Sequence, residues 1–376
     1  MRRKSASLLI LVLILSAVAC LGCLEEETPS SEIPTEPSPG VTETGEESEA
    51  AQPSEELKYE LTLETFNGGF FSINKPQGWN IFTAGACSDF AFLIRDDQEP
   101  LRQIFYFGEV GPVYMSEEQR QIDYEYMSMG GYPIPYIEMP VVDPLTPENF
   151  LSQFHLITQT SIAQSFMPQA PKLENFQVIS ATAQPSFITG GETELVRGIF
   201  VQDGKVGEGL FLVTVVPVLP STGGPGGDLA YGFQVMGITS PKQEFRYLEN
   251  NLAASLQSFT ISQSYVDNCL RQQAQTYAGI LKAGKTLSES SDIIMDGWES
   301  RNKVDDIISE KRSDAILSKE RVYNPETGDV YEVENGFYDT YNINRDQYEM
   351  GTLQQLPDDS WDLWTAAPLD GGQYIS

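Results

Sequence analysis

Ionisable chemistry in this chain is overwhelmingly acidic, with 54 Asp and Glu against 23 Lys and Arg and a single histidine, His155. One imidazole excludes sites built from several histidines and relays that pass a proton between them. His155 lies in the apolar run Phe154, His155, Leu156, Ile157, and no Gly-x-Ser-x-Gly elbow supplies a serine partner, so it reads as a packing residue. The glycine-rich stretch 221–228 lacks the Lys-Ser/Thr ending of a phosphate loop and reads as a hairpin loop. Calcium suits this composition, because it takes carboxylate and carbonyl oxygens. Asn342, Asn344 and Asp346 have the opening spacing of a calcium loop, but Gln347 stands where that loop needs Gly and Leu353 where it needs a bidentate Glu. Asp358 and Asp359, next to Ser360, Trp361 and Asp362, form a second calcium candidate, with a solvated acidic turn as the alternative. No other metal set and no cofactor is indicated, and the many acids leave no pair distinguished for glycoside hydrolysis.

Recognition is the other chemistry in view. The segment 108–143 carries Tyr114, Tyr124, Tyr126, Tyr132 and Tyr136 together with Met115, Met127, Met129 and Met139. Tyrosine gives amphipathic contact area at low entropic cost, and methionine adapts to irregular partners. The segment is read as a partner-binding patch or lid, or else as an insert that folds back to cover one face of a sheet.

The net charge of −31 argues against a nucleic-acid backbone as partner. At the N-terminus, Arg2, Arg3 and Lys4 precede an apolar run over 8–19, the layout of a secretory signal. The run is shorter than the roughly 20 residues of a spanning helix. Gly22 before Cys23 resembles the lipobox of prokaryotic lipoproteins, as does Ala19 before Cys20. Cys23 is favoured as the lipidation site because acidic linker follows it almost at once, with Cys20 as the alternative. An uncleaved leader is the other reading, and both readings place the rest of the chain on the extracytoplasmic side of the cell membrane, reached through the N-terminal anchor. Residues 24–57 hold 11 Glu and no basic residue. Such a segment buries too little to offset its ordering entropy, and reads as a tether reaching roughly 100 Å when extended. Without leader and tether, 58–376 retains a charge near −23. Cys87 and Cys269 remain, and they either pair in an oxidising exterior or stay as two buried thiols.

These residues need a scaffold. Alternation over 58–65, a turn at Asn67, Gly68 and Gly69, and a second strand at 70–73 open a meander, continued by strands near 89–95 and 101–107. Thr146 as N-cap and Pro147 at the first helical position start a helix predicted to run to about Met167. Strands follow near 176–183, 194–202, 209–218 and 230–239. Ser240 and Pro241 then open a helix with Phe245, Leu248, Leu252 and Leu256 on one face. The order predicts an α+β fold, an antiparallel sheet flanked by helices.

Phe71, Ser72, Ile73, Asn74, Lys75, Pro76, Gln77, Gly78 and Trp79, read with Thr239, Ser240, Pro241, Phe245, Leu252, Leu256, Ser258 and Phe259, resemble the PsbP-like sandwich family over about 58–260. The resemblance implies an α/β/α sandwich and a noncatalytic binding, accessory or assembly role toward a protein or envelope component. The insert at 108–143 departs from compact members of that family. The alternative function is a polysaccharide-directed envelope hydrolase using carboxylates near the Tyr-rich insert.

A helical and β-hairpin appendage is expected over 261–376. Tyr265, Val266, Cys269, Leu270, Tyr277, Ile280 and Leu281 mark one helix. Ser290 or Ser291 caps a second, whose apolar face is Ile294, Trp298, Val304, Ile307, Ile308 and Ile316. Asn324, Pro325, Glu326, Thr327 and Gly328 form a hairpin turn and Asn335-Gly336 a second turn. Tyr331, Val333, Phe337 and Tyr341 are expected on strands, with Trp361 and Trp364 packed against them. The pattern resembles a tail of uncharacterised exported prokaryotic proteins.

Overall fold

A computed structural model describes residues 61–186, 188–272 and 303–375. The leader, Cys20, Cys23, the tether and the helix positions Tyr277, Ile280, Leu281, Ser290, Ser291, Ile294 and Trp298 lie outside the described residues.

Strands with apolar side chains on both faces need cover on both faces, and this chain supplies it from two crossings. β1 (Leu63–Asn67) and β2 (Phe71–Pro76) pair as a hairpin. β3 (Asn80–Ala84), β4 (Ala91–Arg95) and β5 (Gln103–Tyr114) form a meander. Three helices cross next: α1 (Glu117–Ser128), α2 (Pro147–Gln159) and α3 (Ser161–Phe166). β6 (Glu174–Gln184), β7 (Glu192–Gln202), β8 (Lys205–Leu219) and β9 (Leu229–Pro241) then return to pair β9 with β5. The result is a seven-stranded antiparallel sheet in the order β3-β4-β5-β9-β8-β7-β6. α4 (Lys242–Gln257) lies on the opposite face, β10 (Thr260–Ile261) joins β2, and α5 (Gln263–Gln272) follows.

Alternate residues of each strand feed two cores. Phe105, Phe107, Phe211 and Val213 meet Phe150 and Phe154 of α2. Ile104, Tyr106, Leu210 and Leu212 meet Phe245, Leu248 and Leu252 of α4. Close approach is needed at Gly232 of β9, where a Cβ would sit 2.4 Å from the Phe150 ring; this glycine lets α2 press onto the sheet.

The α+β class stands, and several local expectations change. The helix starting at Thr146 divides at Thr160, whose backbone is extended and whose hydroxyl donates to the Ile157 carbonyl at 2.8 Å and accepts from the Ala163 amide at 3.3 Å. A threonine side chain that satisfies the backbone on both sides ends one helix and caps the next. The strand read at 101–107 runs on to Tyr114, so the first part of the insert is sheet and the crossing begins at α1. The strand read at 89–95 starts later, after a 3-10 turn at Cys87–Asp89.

Beyond α5, α6 (Lys303–Leu317) precedes the β11 (Lys319–Tyr323) and β12 (Val330–Glu334) hairpin. Asn335-Gly336 leads to a helix, α7 (Phe337–Ile343), instead of a strand; Gly336 takes φ 85° at its start, and Phe337 stacks on the fully buried Tyr341 one turn on. β13 (Gln354–Gln355), α8 (Trp361–Trp364) and β14 (Leu369–Asp370) complete the sheet β13-β11-β12-β14, which is mixed and not a meander because β14 runs parallel to β12.

α6 also corrects the expected apolar face. Val304 is 61% exposed, while Asp306, Ser309, Ser313 and Asp314 are buried beside Ile307. The acids of this helix are held by three cations, from β7, α4 and β11. Arg197 of β7 donates from Nε to Glu208 of β8 at 2.7 Å and lies 3.3 Å from Asp306. Ser309 donates to the other Glu208 oxygen at 2.7 Å, and the Trp361 indole donates to Asp306 at 2.9 Å. Lys242 of α4 pairs with Glu310, which Arg321 of β11 also reaches at 2.6 Å; Arg321 lies 3.0 Å from Asp314. Burial works against the Arg197 charge, but Glu208, Glu249 and Asp306 outweigh it and hold the guanidinium charged. Burial likewise opposes the Glu310 charge, and Lys242 and Arg321 outweigh it. At Asp314 burial wins over Arg321 and lifts the carboxyl to about 6.

Cys87 and Cys269 form a disulfide, with Cα atoms 5.5 Å apart, that closes a sequence separation of 182 residues. Tyr265 of α5 accepts from the Cys87 amide at 2.8 Å and stacks on Phe70 at 4.0 Å.

Replacing Arg197 with Met leaves Glu208 and Asp306 buried without their cation, and is expected to cost about 3–5 kcal/mol in urea denaturation at pH 7. A loss under about 1 kcal/mol would place the pair among ordinary surface bridges. For the double change Cys87→Ser and Cys269→Ser, loop-closure entropy sets an upper value of about 5 kcal/mol. Guanidinium denaturation should show a loss of about 3–5 kcal/mol, and no loss would mean the crosslink constrains little in the unfolded chain.

Candidate functional site

β5 carries the most informative side chain. Phe105 and Phe107 point to the α2 core, and two residues on, the same face receives Glu109. Above it lies a cavity of about 250 Å³ lined by Phe107, Glu109, Met139, Phe154, Ile157 and Phe166, with Thr158, Ile162 and Asp89 among the other walls. Among the described residues, Asp89 and Glu109 are the only ionisable side chains in that lining.

Each wall has a local cause. The 3-10 turn at Cys87–Asp89 lies across β5 because residue 108 is glycine; a Cβ there would meet the Ser88 carbonyl oxygen at 2.2 Å. This turn carries Asp89 to the cavity, and the disulfide fastens it to α5. Thr146 caps α2 by accepting from the Asn149 amide at 3.2 Å, and α2 supplies Phe154, Ile157 and Thr158. The break at Thr160 turns α3 so that Ile162 and Phe166, 40% and 38% exposed, form the rim.

Glu109 is poorly provided for. Its Oε2 is shut off from solvent and has no hydrogen-bond partner among the described residues. Burial first, and the Asp89 charge second, push the carboxyl up to about 7, against the pull of a Ser88 hydrogen bond. A buried acceptor without a donor is costly, and a carboxyl raised toward neutrality in a cavity is a candidate for a binding or acid–base role.

A wider groove of about 730 Å³ opens between α1, residues 138–141 and α2. It is larger, but its charges already have partners. Arg120 pairs with Glu117 at 2.8 Å, and Glu138 accepts from the Ser161 amide at 2.7 Å, which lowers its pKa. The smaller cavity, with its unanswered carboxylate, is the stronger candidate.

The tyrosines of 108–143 divide between two roles. Tyr114 is fully buried and donates to Asp123 at 2.9 Å, and Tyr136 packs half-buried against it at 5.8 Å. Asp123 in turn accepts from Gln119 at 2.9 Å and from the Gly226 amide at 2.8 Å, pinning α1 to the glycine-rich loop between β8 and β9. Tyr114 is therefore a packing residue and leaves the set open to a partner. Tyr126 lies half-buried over Gly131. Tyr124 and Tyr132 are 63% and 84% exposed, with Met129 at 80%.

The calcium candidates stay apart. Asn342 accepts from Arg345 at 2.8 Å, Asp346 sits in a 3-10 turn at Arg345–Gln347, and Leu353 is fully buried. Asp358 pairs with Lys311 at 2.6 Å, which lowers its pKa, and Asp359 is exposed. Among the described residues no three His, Cys, Asp or Glu side chains converge as a metal set. His155 is half-buried on α2, outside the lining of the cavity. Glu109 and Asp89 are the residues that reading the sequence missed. The available signal was the two-residue period that sets Glu109 in line with Phe105 and Phe107.

Compared with known families and with curated proteins, the chain matches none. Solved structures do show similarity. The cyanobacterial PsbP protein (CyanoP) of Synechocystis sp. PCC 6803 is 11% identical with a TM-score of 0.23, over 54% of this chain and 94% of its own. PA94, a protein of unknown function from Pseudomonas aeruginosa, is 11% identical with a TM-score of 0.17, over 50% of this chain and 90% of its own. A structure from Bacteroides thetaiotaomicron VPI-5482 is 10% identical with a TM-score of 0.20, over 70% of this chain and 80% of its own. At these low TM-scores the similarity is one of coarse structure alone.

Proposed function

We propose that this protein is an extracytoplasmic binding module that works without catalysis, held at the membrane by lipid on Cys23, or on Cys20, through the acidic tether. Its body, read as a PsbP-like sandwich over 58–260, engages a protein or envelope component as an accessory or assembly factor. The observation that carries this reading is the cavity beneath α2 and α3, entered past the half-exposed Ile162 and Phe166, which has room for one small group of such a component. The exposed Tyr124, Met129 and Tyr132 add contact surface of the kind that interfaces use.

The second reading, a hydrolase acting on envelope polysaccharide, draws on Glu109. A carboxyl that holds its proton near neutrality beside a second carboxyl is the raw material of a general acid. Under that reading Glu109→Gln abolishes turnover; under the binding reading no turnover is there to lose.

Mass spectrometry of the N-terminal peptide from membrane-extracted protein tests the tether. A mature chain beginning at lipid-modified Cys23 is expected; a start at Cys20 moves the anchor, and an intact Met1 start with no lipid sinks it. Thermal denaturation from pH 4.5 to 8.5 tests the Glu109 environment. A carboxyl raised in the fold keeps a proton that the unfolded chain releases, so it costs stability as pH climbs from the ordinary 4.5 to about 7, and the cost stays in place above that. The Tm of Glu109→Gln should therefore rise relative to the unaltered protein across this window and then run parallel. A constant difference throughout would mean a solvated Glu109.

A further inference from the structure

From the lining of the cavity we infer that its ligand is a small organic cation: a protonated amine on an apolar body, with its charged head at Glu109 and Asp89. This rests on the reading of the cavity as the binding site.

Charge complementarity decides the head group. Among the described residues the only two ionisable groups in the lining are carboxylates, and no described lysine, arginine or histidine lines it. Glu109 Oε2 accepts no hydrogen bond from the described residues, so an ammonium N–H would meet an open acceptor. An anion would face two like charges, and a neutral ligand would leave the carboxylate unpaired in a dry wall. A calcium ion requires six or more oxygens, whereas this lining adds little beyond two carboxylates and the Thr158 hydroxyl. The acidic balance of residues 58–376 also favours cations over anions as partners.

Shape and lining decide the body. Phe107 and Phe154, with ring centroids 6.1 Å apart, join Ile157, Met139 and Phe166 in an apolar sleeve. Aromatic faces attract organic cations as well as hydrocarbon. At about 250 Å³ the cavity holds roughly eight volumes of liquid water at about 30 Å³ each. That is room for one short aryl or alkyl group with its ammonium, and too little for a lipid tail or a peptide.

Ionisation of Glu109 strengthens the contact. Asp89 on the 3-10 turn is the charged group facing it across the cavity, Ser88 offers it a hydroxyl, and α2, α3 and Met139 present no titratable side chain to it. Binding of a cation therefore draws a proton off Glu109 below about pH 7, and affinity rises as pH rises through that value.

Isothermal titration of the full chain, purified from membranes into lipid nanodiscs, tests the inference with two probes of matched shape: 2-phenylethylammonium and the neutral 2-phenylethanol. At pH 8 the ammonium should bind at least tenfold more tightly, and its affinity should fall at least threefold at pH 5.5. Glu109→Gln should remove the preference while still binding the alcohol, which also shows that the variant is folded. Asp89→Asn, on an exposed residue, should reduce the preference without abolishing it. Equal affinity of the two probes for the unaltered protein would overturn the choice of a cation and leave the cavity as a ligand site. Failure of both probes to bind would overturn the cavity as a ligand site, and the inference with it.

Discussion

The buried ion pair between Arg197 and the acids Glu208 and Asp306 is the constraint on which the second half of the molecule is assembled. Two of the three charges lie on neighbouring strands of the main sheet and the third on α6, so the guanidinium can be satisfied in full only when α6 is docked. The same helix collects Lys242 from α4 and Arg321 from β11. Charges taken out of water cost more than their mutual attraction returns unless the geometry is good and every remaining lone pair is used. Here Ser309 and the Trp361 indole fill those positions. The network makes docking of the C-terminal segment specific in register, where apolar contact alone would tolerate sliding.

A consequence is a molecule organised on two different kinds of adhesive. The α2 face of the sheet is joined by hydrocarbon and aromatic packing. On the α4 face an aromatic cluster of Phe70, Phe71, Phe90, Phe92, Tyr106 and Phe259 gives way to the ionic region under α6. The disulfide joins α5, which leads toward the C-terminal segment, to the turn that forms one wall of the cavity.

Most strand positions and the helix under Phe245 were legible in the sequence because apolar alternation and helical spacing are direct records of what is buried. The division at Thr160 was less visible, since the apolar pattern continues across it and only the hydroxyl's local hydrogen bonds break the helix. The buried face of α6 was misread for a physical reason. Asp306, Ser309 and Asp314 are polar, and their burial depends on cations supplied by residues far away in the chain, which no local pattern encodes. Phe337 and Tyr341 were placed on a strand because a turn at Asn335-Gly336 suggested one, whereas their spacing of four is also that of a helix. The site was legible only in part. The tyrosines drew attention for their side-chain chemistry, yet Tyr114 serves the core. Glu109 looks like one acid among many until its strand, its buried oxygen and the turn at Asp89 are seen together.

Gly232 gives the cavity a property separate from its chemistry. Because the Phe150 ring rests on a backbone with no side chain, the height of α2 above the sheet is fixed on β9, while the charge of the cavity is fixed on β5. A side chain at position 232 would press on the Phe150 ring, which does not line the cavity, and so would act on the seat of α2 without touching a lining residue. The spacing of α2 from the sheet and the charge of the cavity are thus set by different elements, β9 for the first and β5 with the turn at Asp89 for the second, so one can change while the carboxylates stay in place.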